Sequence, residues 1–458
     1  MRNFHLRKIA PALTVLLVLT PALPADELSD LRQALRDLEQ KILVLERKQE
    51  IKDEAVAAAA KTAAVAASDG RVEITSGDGQ TSLRLRGLVQ ADYRWFDAAN
   101  DPADTFLLRR ARLIFEGKFN NIFSYVVQPE LGGTIQILDA NLNAAFSPAF
   151  NVRAGKFKTP VGLEQLQSDP VAFFNERSVA TGLTPNRDVG IAVHGDLANK
   201  TVNYTVAVLN GVADGGNNVT GSADFDSDKS IAARVFATPF ANDKESFFNG
   251  LGFGIGVSKG DYATVNGRAA GYRTDGQQNF FTYDASVIAA GEGLTWSPQG
   301  YFYNGPLGIL AEYVVSSIEI QRPSFGIREV KNHGYNLSVG YVLTGEPSTY
   351  RGVTPKTSFN LANGTWGAFE LVGRVAGVDI DDTVFSGPAA SRLANPNTSA
   401  TKLTAYALGL NWYLSRSIRA GFNIYRNEFD LAPAATPAAN ALISDAETTF
   451  ISRLQVSF

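Results

Sequence analysis

Two clusters, Arg109-Arg110-Ala111-Arg112 and Lys156-Phe157-Lys158, gather positive charge into short stretches and are the most evident candidates for chemistry in the sequence. Such groups act electrostatically: a cation held in a narrow, low-dielectric passage replaces the hydration of a passing anion and repels cations. Covalent and metal chemistry are poorly supplied. With no Cys there are neither disulfides nor thiolates, and a single Met and three His leave little for a metal site. A hydrolytic triad needs a Ser beside a His and an acidic or amide orienter. His194 has Asp188 and Gly190 near it and His333 begins a strand-like segment, but neither stands in a G-x-S-x-G or similar context. There is no phosphate loop or dinucleotide-binding glycine pattern, and Gly250 to Gly256 alternates at period two, as a strand does. The sequence reads as no enzyme and calls for no cofactor.

The elements that carry these groups are strands. Hydrophobic residues make up 45% and charged residues 19%, with 41 Gly and 28 Phe. Beyond the N-terminus no apolar run approaches the roughly 18 residues of a spanning helix, which excludes a multi-span helical membrane protein. From Arg71 onward the period is two. Leu83, Leu85, Val89, Tyr93 and Trp95 fall on one face, and Arg84, Arg86, Gln90, Asp92 and Arg94 on the other. Similar dyads run through Leu251 to Ser258, Tyr335 to Leu343 and Tyr406 to Tyr413. They exceed the roughly 5 to 6 residues usual in soluble sheets and match the roughly 9 to 11 of transmembrane strands. Many finish in Tyr, Trp or Phe, as interfacial girdles do, while small Gly and Ser residues suit a wet lumen.

The N-terminus is different. Arg2, Arg7 and Lys8 precede a short apolar run from Ile9 to Leu19, and Pro21 to Ala25 offers a small-residue cleavage site, so residues 1–25 read as a secretory signal. Its removal takes the formal net charge from −4 to −7, which argues against nucleic acid as a partner. Leu28, Leu31, Leu35, Leu38, Ile42 and Leu45 then recur at steps of three and four, a short heptad seam. Helical tendency continues through the Ala-rich stretch to Ala67, giving a coiled-coil and linker segment over 26–70. A seam one helix cannot bury implies partner chains, most simply copies of itself.

Over 71–458 about sixteen strand-like segments can be counted, an even number, with short links alternating with long ones. The link 344–365 is long where alternation calls for a short one, and Pro298 lies inside a proposed strand. The chain finishes Phe450-Ile451-Ser452-Arg453-Leu454-Gln455-Val456-Ser457-Phe458, the alternating shape of the terminal strand that the barrel-assembly machinery recognises. The expected fold is all-β: a 16-stranded antiparallel transmembrane barrel in the bacterial outer membrane, behind a short helical coiled-coil segment.

Leu108 to Leu113, the run Gly155-Lys156-Phe157-Lys158-Thr159-Pro160-Val161-Gly162-Leu163-Glu164, Glu176-Arg177-Ser178 and Trp366 to Glu370 resemble the phosphate-selective porins O and P. The resemblance covers essentially everything after Gly70. It implies a trimer, a third extracellular loop folded inward as the constriction, and basic residues along an anion path. That loop is expected at Thr159 to Arg187. The resemblance places an Arg pair at the constriction, so Arg109 joins Arg110 and Arg112, although alternation alone puts Arg109 on the outer face. With Asp139 on the fourth strand, Lys156 and Lys158 on one face of the fifth, and Asp169 and Arg177 in the loop, these form the candidate pore lining. Phosphate-selective members carry a loop lysine shortly after paired Ser residues, and Gln167-Ser168-Asp169-Pro170 does not supply it. The main reading is a general or anion-preferring porin, with phosphate or polyphosphate uptake as the sharper alternative. An envelope tether and an outer-membrane hydrolase rank below it. The expected partners are two further copies, outer-membrane lipid with lipopolysaccharide, and small anionic solutes.

Overall fold

The computed structural model describes residues 25–59, 63–68, 71–98, 102–218, 227–262, 269, 271–432, 435 and 446–458. All of the signal segment but Ala25 lies outside them. Two units are present, residues 1–63 and residues 64–458. The first holds helix α1, Ala25–Ala59. No Gly or Pro interrupts it, and Ala, Leu, Glu, Lys, Arg and Gln dominate its composition, so intrinsic propensity favours the helix throughout. Leu35, Leu38, Ile42 and Leu45 of the seam stand exposed on the single chain.

The expected helix to Ala67 is not what forms. Ala64–Ser68 is a strand paired antiparallel with Arg71–Thr75, which pairs in turn with the start of the barrel, Val72 opposite Leu85 and Thr75 opposite Ser82. Available edge pairing overrides the helical preference of alanine.

Sixteen antiparallel strands make the barrel: β1 (Ser82–Asp97), β2 (Thr105–Phe119), β3 (Phe123–Glu130), β4 (Gln136–Ser147), β5 (Phe150–Lys158), β6 (Arg187–Leu197), β7 (Val202–Leu209) and β8 (Ser230–Ala237). They continue as β9 (Leu251–Asp261), β10 (Ile288–Asn304), β11 (Leu307–Gln321), β12 (Ile327–Val342), β13 (Ala368–Asp379), β14 (Ala400–Tyr413), β15 (Ile418–Leu431) and β16 (Ala446–Ser457). Each pairs with the next, and β16 closes on β1 with Gln455 opposite Gln90. Closure pairs every strand and leaves no edge in lipid. Alternation decides the faces. On β12, Leu337, Val339 and Tyr341 are exposed on the outer wall while Asn332, Asn336 and Ser338 are buried inside.

Tight turns close one end, with left-handed backbone at Asn120 and Asn121, at Ala198 to Lys200, and at Gly305. Pro298 is tolerated because the β10–β11 ladder skips Ser297 and Pro298, between Trp296–Val315 and Gln299–Glu312. The long link between β12 and β13 does lie at the short-turn end, and its length has a purpose. It turns up into the barrel, where Tyr350 stacks on Tyr301 with ring centroids 5.2 Å apart and donates its hydroxyl to Leu163 O at 2.7 Å.

The lumen is substantially filled. At the long-loop end, residues 271–287 form a small hairpin, Tyr272–Arg273 with Asn279–Phe281, packed with Val384, Phe385 and Leu393 of the β13–β14 loop against the inner wall. Deeper in, Phe173 and Phe174 of the loop between β5 and β6 bury against Tyr303, Leu310 and Tyr425. Side chains of this size contribute about 1.5–3 kcal/mol each on full burial, which favours the inward position of the loop.

Candidate functional site

The β5–β6 loop, residues 159–186, crosses the barrel interior as expected, with Arg187 already the first residue of β6. Wall side chains hold its backbone along the way. Glu312 accepts the N–H groups of Leu163 (2.8 Å) and Glu164 (3.1 Å), Arg419 donates to Ala172 O (2.7 Å), and Asn411 donates to Phe173 O (2.8 Å).

Opposite the loop, β1, β2 and β16 present an arginine wall. Asp92 and Arg94 on β1 and Arg453 on β16 point inward by alternation and are buried. On β2, alternation alone would turn Arg109 outward. The structure brings it inside because the β1–β2 register slips: Gln90 pairs with Arg110 while Ala91 pairs with Leu108. Arg109 is the extra residue of this β-bulge, a device that re-aims a side chain. Its guanidinium reaches Glu176 with Nε–Oε1 2.8 Å and Nη2–Oε2 3.0 Å.

The loop supplies two carboxylates, each the centre of three guanidinium groups. Glu176 meets Arg94 at 2.7 Å, Arg109 at 2.8 Å and Arg453 at 2.7 Å, with Asp92 as a second acceptor for Arg94 (2.9 Å) and Arg453 (2.6 Å). Asp169 meets Arg110 at 3.2 Å, Arg177 at 2.5 Å, and Arg112, which also pairs with Glu130 at 2.5 Å. Burial alone would raise both loop carboxyls. The arginines outweigh it and hold Asp169 and Glu176 well below the usual carboxylate range. The sequence reading expects Asp169 as a negative charge beside the path; in the structure that charge is already enclosed by cations.

The other basic candidates divide. Lys158 donates to the carbonyls of Gln165 (2.8 Å), Leu166 (3.3 Å) and Gln167 (2.9 Å), capping the one-turn helix α2, Leu163–Leu166. Arg177 donates to Glu164 O (3.0 Å) and Gln167 O (2.8 Å). Lys156 stands apart, donating to Ile137 O (2.8 Å) and Asn218 O (2.6 Å), and Asp139 pairs with Arg187 at 3.2 Å.

Below the loop, toward the short turns, lies a cavity of about 1070 Å³. Eight arginines and Lys158 line it, against Asp139 and Asp169 as the only side-chain carboxylates among its described lining residues. Of the sequence candidates, Arg112, Asp139, Lys158 and Asp169 border this space; Arg109, Arg110, Arg177 and Lys156 do not. Sequence reasoning missed Arg153, Arg351, Arg419 and Arg453, and reads Arg187 only as the basic end of the inward loop. Alternation on β16 and β15 was the available signal for Arg453 and Arg419, which are inward and buried. Arg351 had none, because it rides on the long link.

A further buried carboxyl, Asp214 in the β7–β8 loop, accepts from Ser316 Oγ at 2.8 Å and Tyr272 OH at 2.9 Å. Burial pushes it up to about 7.

With this geometry, comparison with known proteins is specific. The family model described as phosphate-selective porin O and P matches residues 83–458. Porin O of Pseudomonas aeruginosa is 24% identical over 384 residues, covering 76% of this chain and 84% of that protein. Among solved structures, a loop L8 deletion mutant of OmpT, an outer membrane protein of Vibrio cholerae, aligns with TM-score 0.50 and 11% identity over 83% of this chain and 100% of that one. An anion-selective porin from Comamonas acidovorans aligns with TM-score 0.48 and 14% identity over 82% and 100%.

Proposed function

Since this chain belongs to the phosphate-selective porin O and P family and is a porin of the bacterial outer membrane, we propose that it conducts small anions by passive diffusion, along the side of the lumen bounded by β1 to β6. One observation carries the reading: the lumenal cavity is lined by eight arginines and Lys158, and both of its side-chain carboxylates are already ion-paired. A passing anion there meets fixed cations in place of water, and a cation meets repulsion. Arg112, Arg153 and Arg351 serve the path itself, while Lys158 holds the carbonyls of residues 165–167. Arg109 and Arg110 hold the loop against the wall, and Arg177 braces the loop internally.

A general anion channel fits better than a phosphate-specific one, because the arginine cluster that could grip an oxyanion is occupied by Asp169. Conduction fits better than hydrolysis: His194 bonds Asn143 (2.7 Å) and His333 bonds Tyr313 (3.0 Å), on opposite faces of the wall. The exposed seam of α1 supports assembly as a trimer, since three copies bury what one cannot. Planar-bilayer recording of the purified protein in a KCl gradient tests the function. Stepwise pores with a reversal potential of anionic sign are expected, and a cation-selective pore overturns the reading.

A further inference from the structure

The geometry points to Asp169 as an internal anion that keeps an oxyanion site closed. This rests on the proposed anion conduction and names the residue that decides whether tetrahedral oxyanions are held or merely pass. Three guanidinium groups converge on this position: Arg110 and Arg112 from β2, and Arg177 from the loop itself. Arg110, Arg112 and Arg177 come from two different elements, so they surround a point instead of lining a flat surface. Forked guanidinium donors around one small anion form the arrangement that binds phosphate or sulfate. Here the anion is the protein's own carboxylate, delivered by the loop and buried.

The two carboxylate centres differ in what surrounds them. Glu176 shares Arg94 and Arg453 with Asp92, and the hairpin turn covers it, with Gly276 O accepting from Arg94 at 3.2 Å. Asp169 and its partner Arg112 border the 1070 Å³ cavity, so a solute there reaches the open side of the cluster, with Arg110 and Arg177 behind it. Glu130 is the other carboxylate in contact with these arginines, so removing the Asp169 charge leaves the cluster strongly cationic. The neighbouring Ser168 and Gln167 line the same space.

The test uses the full chain, Asp169→Asn and Asp169→Ala, with inorganic phosphate as the probe. Chloride current through single pores is titrated with phosphate, and the thermal transition of the detergent-solubilised protein is followed in parallel. The native pore should show weak block. Both variants should show half-block at about tenfold lower phosphate or less, and phosphate should raise their transition more than that of the native protein. Should a variant assemble only when phosphate is present, the oxyanion is replacing the carboxylate and the inference stands. Equal block and equal thermal shift in native and variants overturn it, as does failure to assemble at every phosphate concentration. The reversal potential in KCl is read from the same pores, so a cation-selective native pore would reject anion conduction separately.

Discussion

Glu176 keeps three arginines together that would otherwise repel one another across the inner wall. Breaking a buried pair by removing one partner leaves charge uncompensated and costs about 3–5 kcal/mol. Glu176→Gln is therefore expected to lower the unfolding midpoint of the barrel markedly in a urea titration, whereas Glu292→Gln, whose exposed pair with Lys259 spans 2.9 Å, should move it little. Asp214 yields a pH dependence of definite sign. Its folded carboxyl titrates near 7 while an unfolded aspartate titrates near about 3.9, so the unfolded chain ionises first. Its contribution to stability is greatest below about pH 4 and falls as pH rises toward 7. The midpoint between pH 5 and 8 should decline less steeply in Asp214→Asn than in the native protein; parallel slopes would show that another group sets the trend. At this scale the sequence was partly legible. Alternation located Arg110, Arg112 and Arg94, but a bulge decides Arg109, and no periodicity reveals a one-residue slip in register.

The link between β12 and β13 changes what the short-turn end of the barrel does. Gln167 donates to Tyr350 O at 2.9 Å and Tyr350 donates to Leu163 O, so the link props the inward loop from below. A Cβ at Gly352 would lie 2.9 Å from Val171 Cβ, on a residue with φ +94°, so the two segments touch where only glycine fits. Replacing residues 344–366 with a short turn should raise single-channel conductance, because it removes Tyr350 and Arg351 from the lumen; an unchanged conductance would place the narrowest point elsewhere. The strands themselves were readable because lipid and lumen impose opposite chemistries on alternate residues. Loop interiors were not, although the pairs Phe173-Phe174 and Phe280-Phe281 are apolar segments that long loops do not leave in water. The Ala-rich run misled because alanine reports helix propensity while an available strand edge decided the outcome.

Taken whole, the molecule carries a net negative charge around a lumenal cavity lined mainly by arginine, so its selectivity is local. Local fields are screened: the Debye length is about 10 Å at 0.1 M salt and about 3 Å at 1 M. Anion preference should accordingly weaken as KCl is raised from about 0.1 to about 1 M, and Arg153→Gln with Arg351→Gln should weaken it at low salt without reducing the amount of assembled protein. A preference independent of salt would indicate exclusion by size. The fold class was legible from period and strand count, but the filled lumen was not, since nothing in an alternating pattern records which loops return inside.

The seam between β1 and β16 sets the order in which such a molecule can come into being. Gln90 donates to Gln455 across 365 positions of chain, the longest-range contact of its kind among the described side chains, and Gly87 and Phe458 exchange both backbone bonds beneath the Phe458 ring. Neighbouring hairpins can pair as they emerge, but this junction waits for all the others. Until it zips, two raw edges and the lumenal charges lie open together. The nascent protein therefore needs an escort until its last strand arrives, and the rate of that final event governs how long it remains vulnerable to proteases.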